Sequence, residues 1–270
     1  MKTEDDIRNE YIKKLEEYST KREIAANTNP DGSIRDRSKD IYVTDICVWD
    51  TYCPKQVFYS KTNKRHPTPE GQMRFTIGEV VHEIPLWYDE DPLKNGHEVR
   101  FQWNGLSSRF DEINFEDGII IDKKTVASLP RKPKEYVTKQ LNIYRVMAED
   151  NDERPTKIKQ LFALNISVTN GAIQAMEIPM WSKQETYEFI ERVRGEMLYH
   201  LDNKLIPNVA CFSKGWICDN CQYTDLCMRD VPGGVSAVKE AETADENKNE
   251  KKLKAVTGRV KKKAESIDDI

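Results

Sequence analysis

In the opening stretch, Ile7, Tyr11, Leu15 and Tyr18 recur at spacings of four, four and three, which places them on one face of a helix. Polar residues with an Asn-Pro-Asp-Gly turn at 29–32 follow, and the body is expected to begin near Asp40. Thr68-Pro69-Glu70 has the chemistry of a helix start, with a capping hydroxyl, proline in the first turn and an early acid, and predicts a helix to about Leu86. Three strands are predicted next, HEVRFQW (97–103), SRFDEIN (108–114) and GIIIDKKTV (118–126), the last two joined by a Glu-Asp-Gly turn. Val137, Leu141, Tyr144 and Ala148 restore the helical period. KIKQLFALNISV (157–168) and AIQAMEIPMW (172–181) read as strands around an Asn170-Gly171 hairpin signal. Ser182 to Glu185 form a capping box that opens a helix to about Lys204. The order helix, three strands, helix, two strands, helix predicts an α/β fold, a mixed sheet flanked by helices.

Composition narrows the class. The chain has 270 residues with 42 basic and 46 acidic side chains, a formal charge of -4, and no apolar run long enough for a bilayer. Its charged first residues lack the pattern of a secretory signal, so a cytoplasmic protein with no membrane contact is expected. Residues 231–270 hold nine basic and eight acidic groups and no aromatics, the composition of a disordered tail. The expected organisation is an N-terminal helix and linker over 1–39, a folded body over 40–230 and the tail over 231–270. With no global basic excess, nucleic-acid binding would rest on local patches. Lys123, Arg131, Lys132, Lys134 and Lys139 form one candidate, and Lys55, Lys61, Lys64 and Arg65 another, with Tyr59, Tyr136 and Tyr144 interleaved as stacking platforms. His66, His97 and His200 show no partner spacing and read as surface or packing residues.

The strongest chemistry lies in IIIDKKTV. Residues two apart on a strand share a face, so Asp122 and Lys124 point together while Lys123 points away. A short turn can bring Asp111 of the preceding strand alongside Asp122 if the register suits; a slip of one residue would substitute Glu112 or Arg109. Two carboxylates beside a lysine can hold a hard divalent cation and its attacking water. The plain alternative is a solvated ion pair at a strand end.

The company of these residues carries a resemblance. His82 in GEVVHE precedes the strands, and Gln140 and Tyr144 in QLNIY follow them, four apart on one helix face. A G-x-x-x-H helix, an Asp strand, a [DE]-x-K strand and a Q-x-x-x-Y helix, in that order, resemble the PD-(D/E)XK nuclease superfamily in its RecB-like branch. The resemblance implies a restriction-endonuclease-like fold in which His82, Asp111, Asp122 and the Lys123 carbonyl ligate manganese or magnesium. It implies that Lys124 positions or activates the water, and that Gln140 and Tyr144 help place DNA or the catalytic lysine. Phe110 precedes Asp111 where the superfamily's name has proline.

Cys218, Cys221 and Cys227 form C-x2-C-x5-C, three thiolates with one coordination position left for a distal ligand. Spacing alone leaves zinc and a 4Fe-4S cluster equally open. Cys53-Pro54, ahead of the histidine helix, resembles the matching segment of the iron-sulfur nucleases of the same branch, which implies a 4Fe-4S cluster on Cys53, Cys218, Cys221 and Cys227. Cys47 is the rival for the distal position, and Cys211 is surplus. Residues 41–228 look most like the CRISPR-associated Cas-four exonucleases. That likeness implies digestion of single-stranded DNA from the 5' end and work beside the Cas integrase in spacer acquisition. A phage or host recombination nuclease, a non-catalytic iron-sulfur DNA-binding protein, a zinc-stabilised interaction module and self-association as a homo-oligomer remain open alternatives.

Overall fold

A computed structural model describes Lys13, Glu17 and residues 40–63, 69–86, 94–208, 218 and 221–229. The expected first helix, the turn at 29–32, His66, Cys211 and the charged tail lie outside these residues. The chain divides into two units, Met1–Val209 and Ala210–Ile270.

The first unit runs β1 (Ile41–Tyr42), α1 (Val43–Thr51), α2 (Pro54–Thr62), α3 (Pro69–His82), β2 (Asn95–Trp103), β3 (Leu106–Asn114), β4 (Ile119–Val126), α4 (Glu135–Glu149), β5 (Gln160–Ser167), β6 (Ile173–Glu177) and α5 (Lys183–Asp202). The mixed α/β architecture follows the hydrophobic pattern, with differences at local signals. The third helix stops at His82, short of the expected Leu86, because Pro85 disfavours helical geometry at Ile84. VTDICVWDT is rich in β-branched and aromatic residues, yet it forms α1. Burial of Ile46, Cys47 and Trp49 outweighs weak local propensity, and Asp45 Oδ2 accepts the Tyr42 N–H at 2.9 Å. The capping box at Ser182 forms as predicted: its hydroxyl accepts the Glu185 N–H at 3.1 Å and Glu185 Oε2 accepts the Ser182 N–H at 2.7 Å.

The sheet has the order β1-β3-β4-β5-β6, with β2 along the other edge of β3. Strands β2 to β4 form an antiparallel meander, and β4 and β5 are parallel across the α4 crossover. Leu141, Ile143, Val146 and Met147 of α4 and Ile190, Val193 and Met197 of α5 are buried with Phe110, Ile120 and Leu161 of the sheet. Phe110 stacks between Phe101 and Tyr144, with ring centroids 4.2 and 4.4 Å away. No helix among the described residues is long and apolar enough to cross a membrane.

One irregularity positions everything functional. Along the edge of β3 that faces β4, Asn114 to Glu112 pair with Ile119 to Ile121, and farther along Leu106 and Ser107 pair instead with β1. Between them, residues 108–111 leave the ladder, and β3 and β4 part where Asp111 would meet Asp122.

Candidate metal centre

Where the strands part, the Lys123 N–H donates to Asp111 Oδ2 at 2.6 Å, so a carboxylate takes the place of the next backbone rung. Lys123 lies buried and its ammonium turns away, donating to Glu112 Oε1 and to the Ile84 carbonyl at 2.5 Å. Lys124 Nζ stands 2.7 Å from Asp122 Oδ2. The period-two reading of Asp-Lys-Lys therefore agrees with the geometry.

His82 ends α3, and its Nδ1 lies 2.9 Å from Asp111 Oδ1 and 3.6 Å from Glu98 Oε1. The ligand atoms of His82, Glu98 and Asp111 all fall within 4.8 Å of one another. This set differs from the expected one: His82 and Asp111 come together, Asp122 is engaged by Lys124, and Glu98 enters. Glu98 reads in sequence as the polar face of HEVRFQW, which hid it. The overlooked signal is Asn104-Gly105, a two-residue hairpin with φ of 46° and 73°, both in the left-handed region. It pairs Trp103 with Leu106 and fixes the register that sets Glu98 across from Asp111. Glu98 itself has φ 55° and drops out of that ladder between His97↔Glu112 and Val99↔Phe110. A left-handed non-glycine residue inside a strand costs about 1–2 kcal/mol, and such strain gathers at functional sites. Arg109 Nε meets the other Glu98 oxygen at 2.5 Å.

The electrostatics follow from crowding. Hydrogen bonds to Asp111 and Glu98 push the His82 pKa up to about 9. Burial raises the Asp122 carboxyl to about 6, Asp111 adds to the rise and Lys124 opposes it. Burial would lower the Lys124 ammonium, but Asp122 and Asp111 outweigh it and its pKa ends above the ordinary lysine range. One imidazole nitrogen with oxygen donors suits manganese or magnesium. The donor chemistry fits a divalent cation, provided His82 gives up its proton.

Gln140 and Tyr144 are both buried on α4, and Gln140 Nε2 donates to the Tyr144 hydroxyl at 2.5 Å. Burial, chiefly, drives the Tyr144 pKa upward, with Asp122 adding to the rise. Lys124 Nζ lies 6.0 Å from the Tyr136 ring centroid.

Cys53 caps the N-terminus of α2, half-buried. Cys47 is fully buried, and desolvation pushes its thiol pKa far up. In the second unit the Cys221 N–H donates to the Cys218 carbonyl at 3.1 Å, the Thr224 hydroxyl lies 2.8 Å from both the Cys218 and Cys221 carbonyls, and Cys227 lies in α6 (Thr224–Arg229).

Several expected patch residues are occupied elsewhere. Lys123 pairs with Glu112, Lys139 is buried between Asp50 and Glu135, Lys61 pairs with Asp45, and Lys55 is buried. Tyr59 and Tyr144 are buried in the core, which removes them as platforms for bases. Arg131, Lys132 and Lys134 are exposed, and Lys64 and Arg65 lie outside the described residues. His97, expected to be without a partner, stands 2.9 Å from Glu112 Oε1, and His200 Nδ1 lies 2.8 Å from the Leu205 carbonyl.

Comparison with known proteins places this geometry. Residues 90–228 match the family model of the PD-(D/E)XK nuclease superfamily. The crystal structure of SSO0001 is similar, with a TM-score of 0.52 at 19% identity over 83% of this chain and 97% of that one. An alkaline exonuclease, LHK-Exo, from Laribacter hongkongensis aligns with a TM-score of 0.33 at 12% identity over 62% of this chain and 94% of that one. No curated protein matches the chain.

Proposed function

Since the chain belongs to the PD-(D/E)XK nuclease superfamily, we propose that it is an exonuclease that digests single-stranded DNA from the 5' end. The observation that carries this reading is the convergence of His82, Glu98 and Asp111 beside the Asp122–Lys124 pair. A divalent cation held there supplies an activated water and neutralises charge on the phosphate. His82, Glu98 and Asp111 would hold the cation, with Asp122 as the adjacent further carboxylate. Lys124, a cation at neutral pH, orients the water and a non-bridging phosphate oxygen. The water oxygen bonds to phosphorus and releases one proton to solvent, the opposite P–O ester bond breaks, and the leaving oxygen takes one proton from solvent. Gln140 and Tyr144, joined to each other on α4, help place DNA or the catalytic lysine.

The finer reading extends to the cysteines: Cys53, Cys218, Cys221 and Cys227 carry a 4Fe-4S cluster, and the protein trims DNA for the Cas integrase in spacer acquisition. Support for this part is the C-x2-C-x5-C spacing with Cys53-Pro54.

The test is degradation of end-labelled single-stranded DNA with manganese or magnesium by anaerobically purified protein and its Lys124→Ala variant. Digestion by the unaltered protein alone is expected, and the label's position reads the polarity. Failure of both with an absorbance near about 400 nm intact would turn the reading to a DNA-binding iron-sulfur protein. Absence of that absorbance and of iron would remove the cluster and leave the nuclease.

A further inference from the structure

The β3–β4 turn and the segment entering β5 enclose a cleft of about 510 Å³. Lys94, Arg154, Lys157 and Lys159 line it with the Phe115 ring, and Glu116 is the single acid of the lining. Among the described residues Glu116 pairs with Lys94, at 3.5 Å, and nearby Asp117 is held by the Asn114 amide at 2.9 Å. The acids of the same loop, Asp152 and Glu153, line a separate cleft with Asp40 and Asp150, so charge is sorted between two faces.

The walls are built rather than draped. Arg154 lays its guanidinium over the Phe115 ring at 3.4 Å from the centroid, and its N–H donates to Asn151 Oδ1 at 2.7 Å. Thr156 is buried, with its N–H on the Ala148 carbonyl at 3.0 Å. Ile158 is buried between Lys157 and Lys159, which leaves both lysines exposed. The Gly118 carbonyl accepts the Lys159 N–H at 2.7 Å, and the Lys157 carbonyl approaches so closely that a Cβ on Gly118 would sit 2.3 Å from it. The backbone that carries the lysines and the stacked Arg154 are held before a phosphate arrives, which lowers the cost of ordering them on binding.

We propose that this cleft is a second phosphate-binding site, which holds the backbone of the single DNA strand whose reacting phosphodiester lies at the metal centre. The inference rests on the nuclease reading for the identity of its ligand. Gln160 pairs with Ile119 and Ala163 with Asp122, so Lys159 lies four residues, roughly 13 Å, from the level of Asp122 along the sheet. One short oligonucleotide spans that distance. The stacked Arg154–Phe115 pair offers a flat face to an unpaired base.

The test measures binding apart from cleavage. Fluorescence anisotropy of labelled 20-nucleotide and dinucleotide thymidylates, with chelator present, gives affinity against salt for the unaltered protein, Lys157→Ala/Lys159→Ala and Lys157→Arg/Lys159→Arg. Each phosphate contact contributes a slope of about 0.7 in log affinity against log salt for single strands, so the alanine pair should be shallower by about 1.4 on the 20-mer. The arginine pair should restore the slope, and manganese-dependent cleavage of the dinucleotide, whose single phosphodiester lies at the metal centre and cannot also reach the cleft, should be unchanged. Parallel slopes for the unaltered and alanine proteins, or no binding by the unaltered protein, would overturn the inference. A difference in slope without any cleavage would leave the cleft standing and remove the nuclease reading.

Discussion

His82 is the group whose titration exposes the logic of the metal centre. In the metal-free protein its Nδ1 sits between Asp111 and Glu98, and these carboxylates raise its pKa from 6.5 to about 9. A folded pKa above the unfolded one means that the folded state holds its proton more tightly. The stabilisation is therefore fully present below pH 6.5 and is lost as pH rises through about 9. At about 1.36 kcal/mol per pKa unit the shift is worth roughly 3 kcal/mol, an upper bound because 27% of the side chain is exposed to water. Denaturant unfolding in chelator at steps from pH 6.5 to 9.5, for the unaltered protein and His82→Asn, isolates this loss as the difference between the two curves. Asp122, raised only to about 6, titrates below that window. Manganese must displace the same proton, so its affinity should rise nearly tenfold per pH unit up to about pH 9. Parallel stability curves, or a pH-independent manganese affinity, would refute the assignment of His82 to a carboxylate-bound imidazolium that becomes a ligand.

Three further changes probe the surroundings. Glu98→Gln should weaken manganese binding at least about tenfold in calorimetric titration, and an unaltered affinity would take Glu98 out of the site. Gly118→Ala places a Cβ 2.3 Å from the Lys157 carbonyl at φ +71°, and should destabilise by more than about 1 kcal/mol. A melting temperature equal to that of the unaltered protein would show that the loop yields without cost. Glu112→Ala strips the buried Lys123 ammonium of its carboxylate, along with the acceptor of the Leu86 N–H at 2.9 Å. It should cost about 3–5 kcal/mol by denaturant unfolding, and a loss below 1 kcal/mol would mean that Lys123 escapes to water.

The sequence made the meander, the crossover helix and the Asp122–Lys124 pair legible because each depends on a local period. Short β-branched and aromatic runs between turn signals mark β2 to β4, a 3.6 repeat marks α4, and residues two apart in β4 share a face whatever the rest of the chain does. Helix α1 was illegible because its stability comes from α4 and α5 packing over Ile46 and Trp49, contacts far away in sequence. Glu98 was hidden for the opposite reason. Its polarity fits a solvent-facing position, and only the register imposed by Asn104-Gly105 reveals that it opposes Asp111. The basic cleft has no compact motif, since Lys94 and Lys157 meet only once the β3–β4 turn is folded against the β5 approach.

The parting of β3 from β4 releases these side chains from the regular ladder. Continued pairing would set Asp111 directly across from Asp122, and like charges opposite each other destabilise a ladder. The strands separate there, and each acid takes its own cation: His82 for Asp111 and Lys124 for Asp122, with Arg109 for Glu98. The metal-free site is thus neutralised by its own side chains. A divalent ion bound there would take the place of the His82 proton and would compete with Lys124 for the charge of Asp122. On the proposed reading the lysine would then serve the phosphate, so Lys124→Ala should abolish cleavage while leaving manganese affinity, read by calorimetric titration, equal or higher.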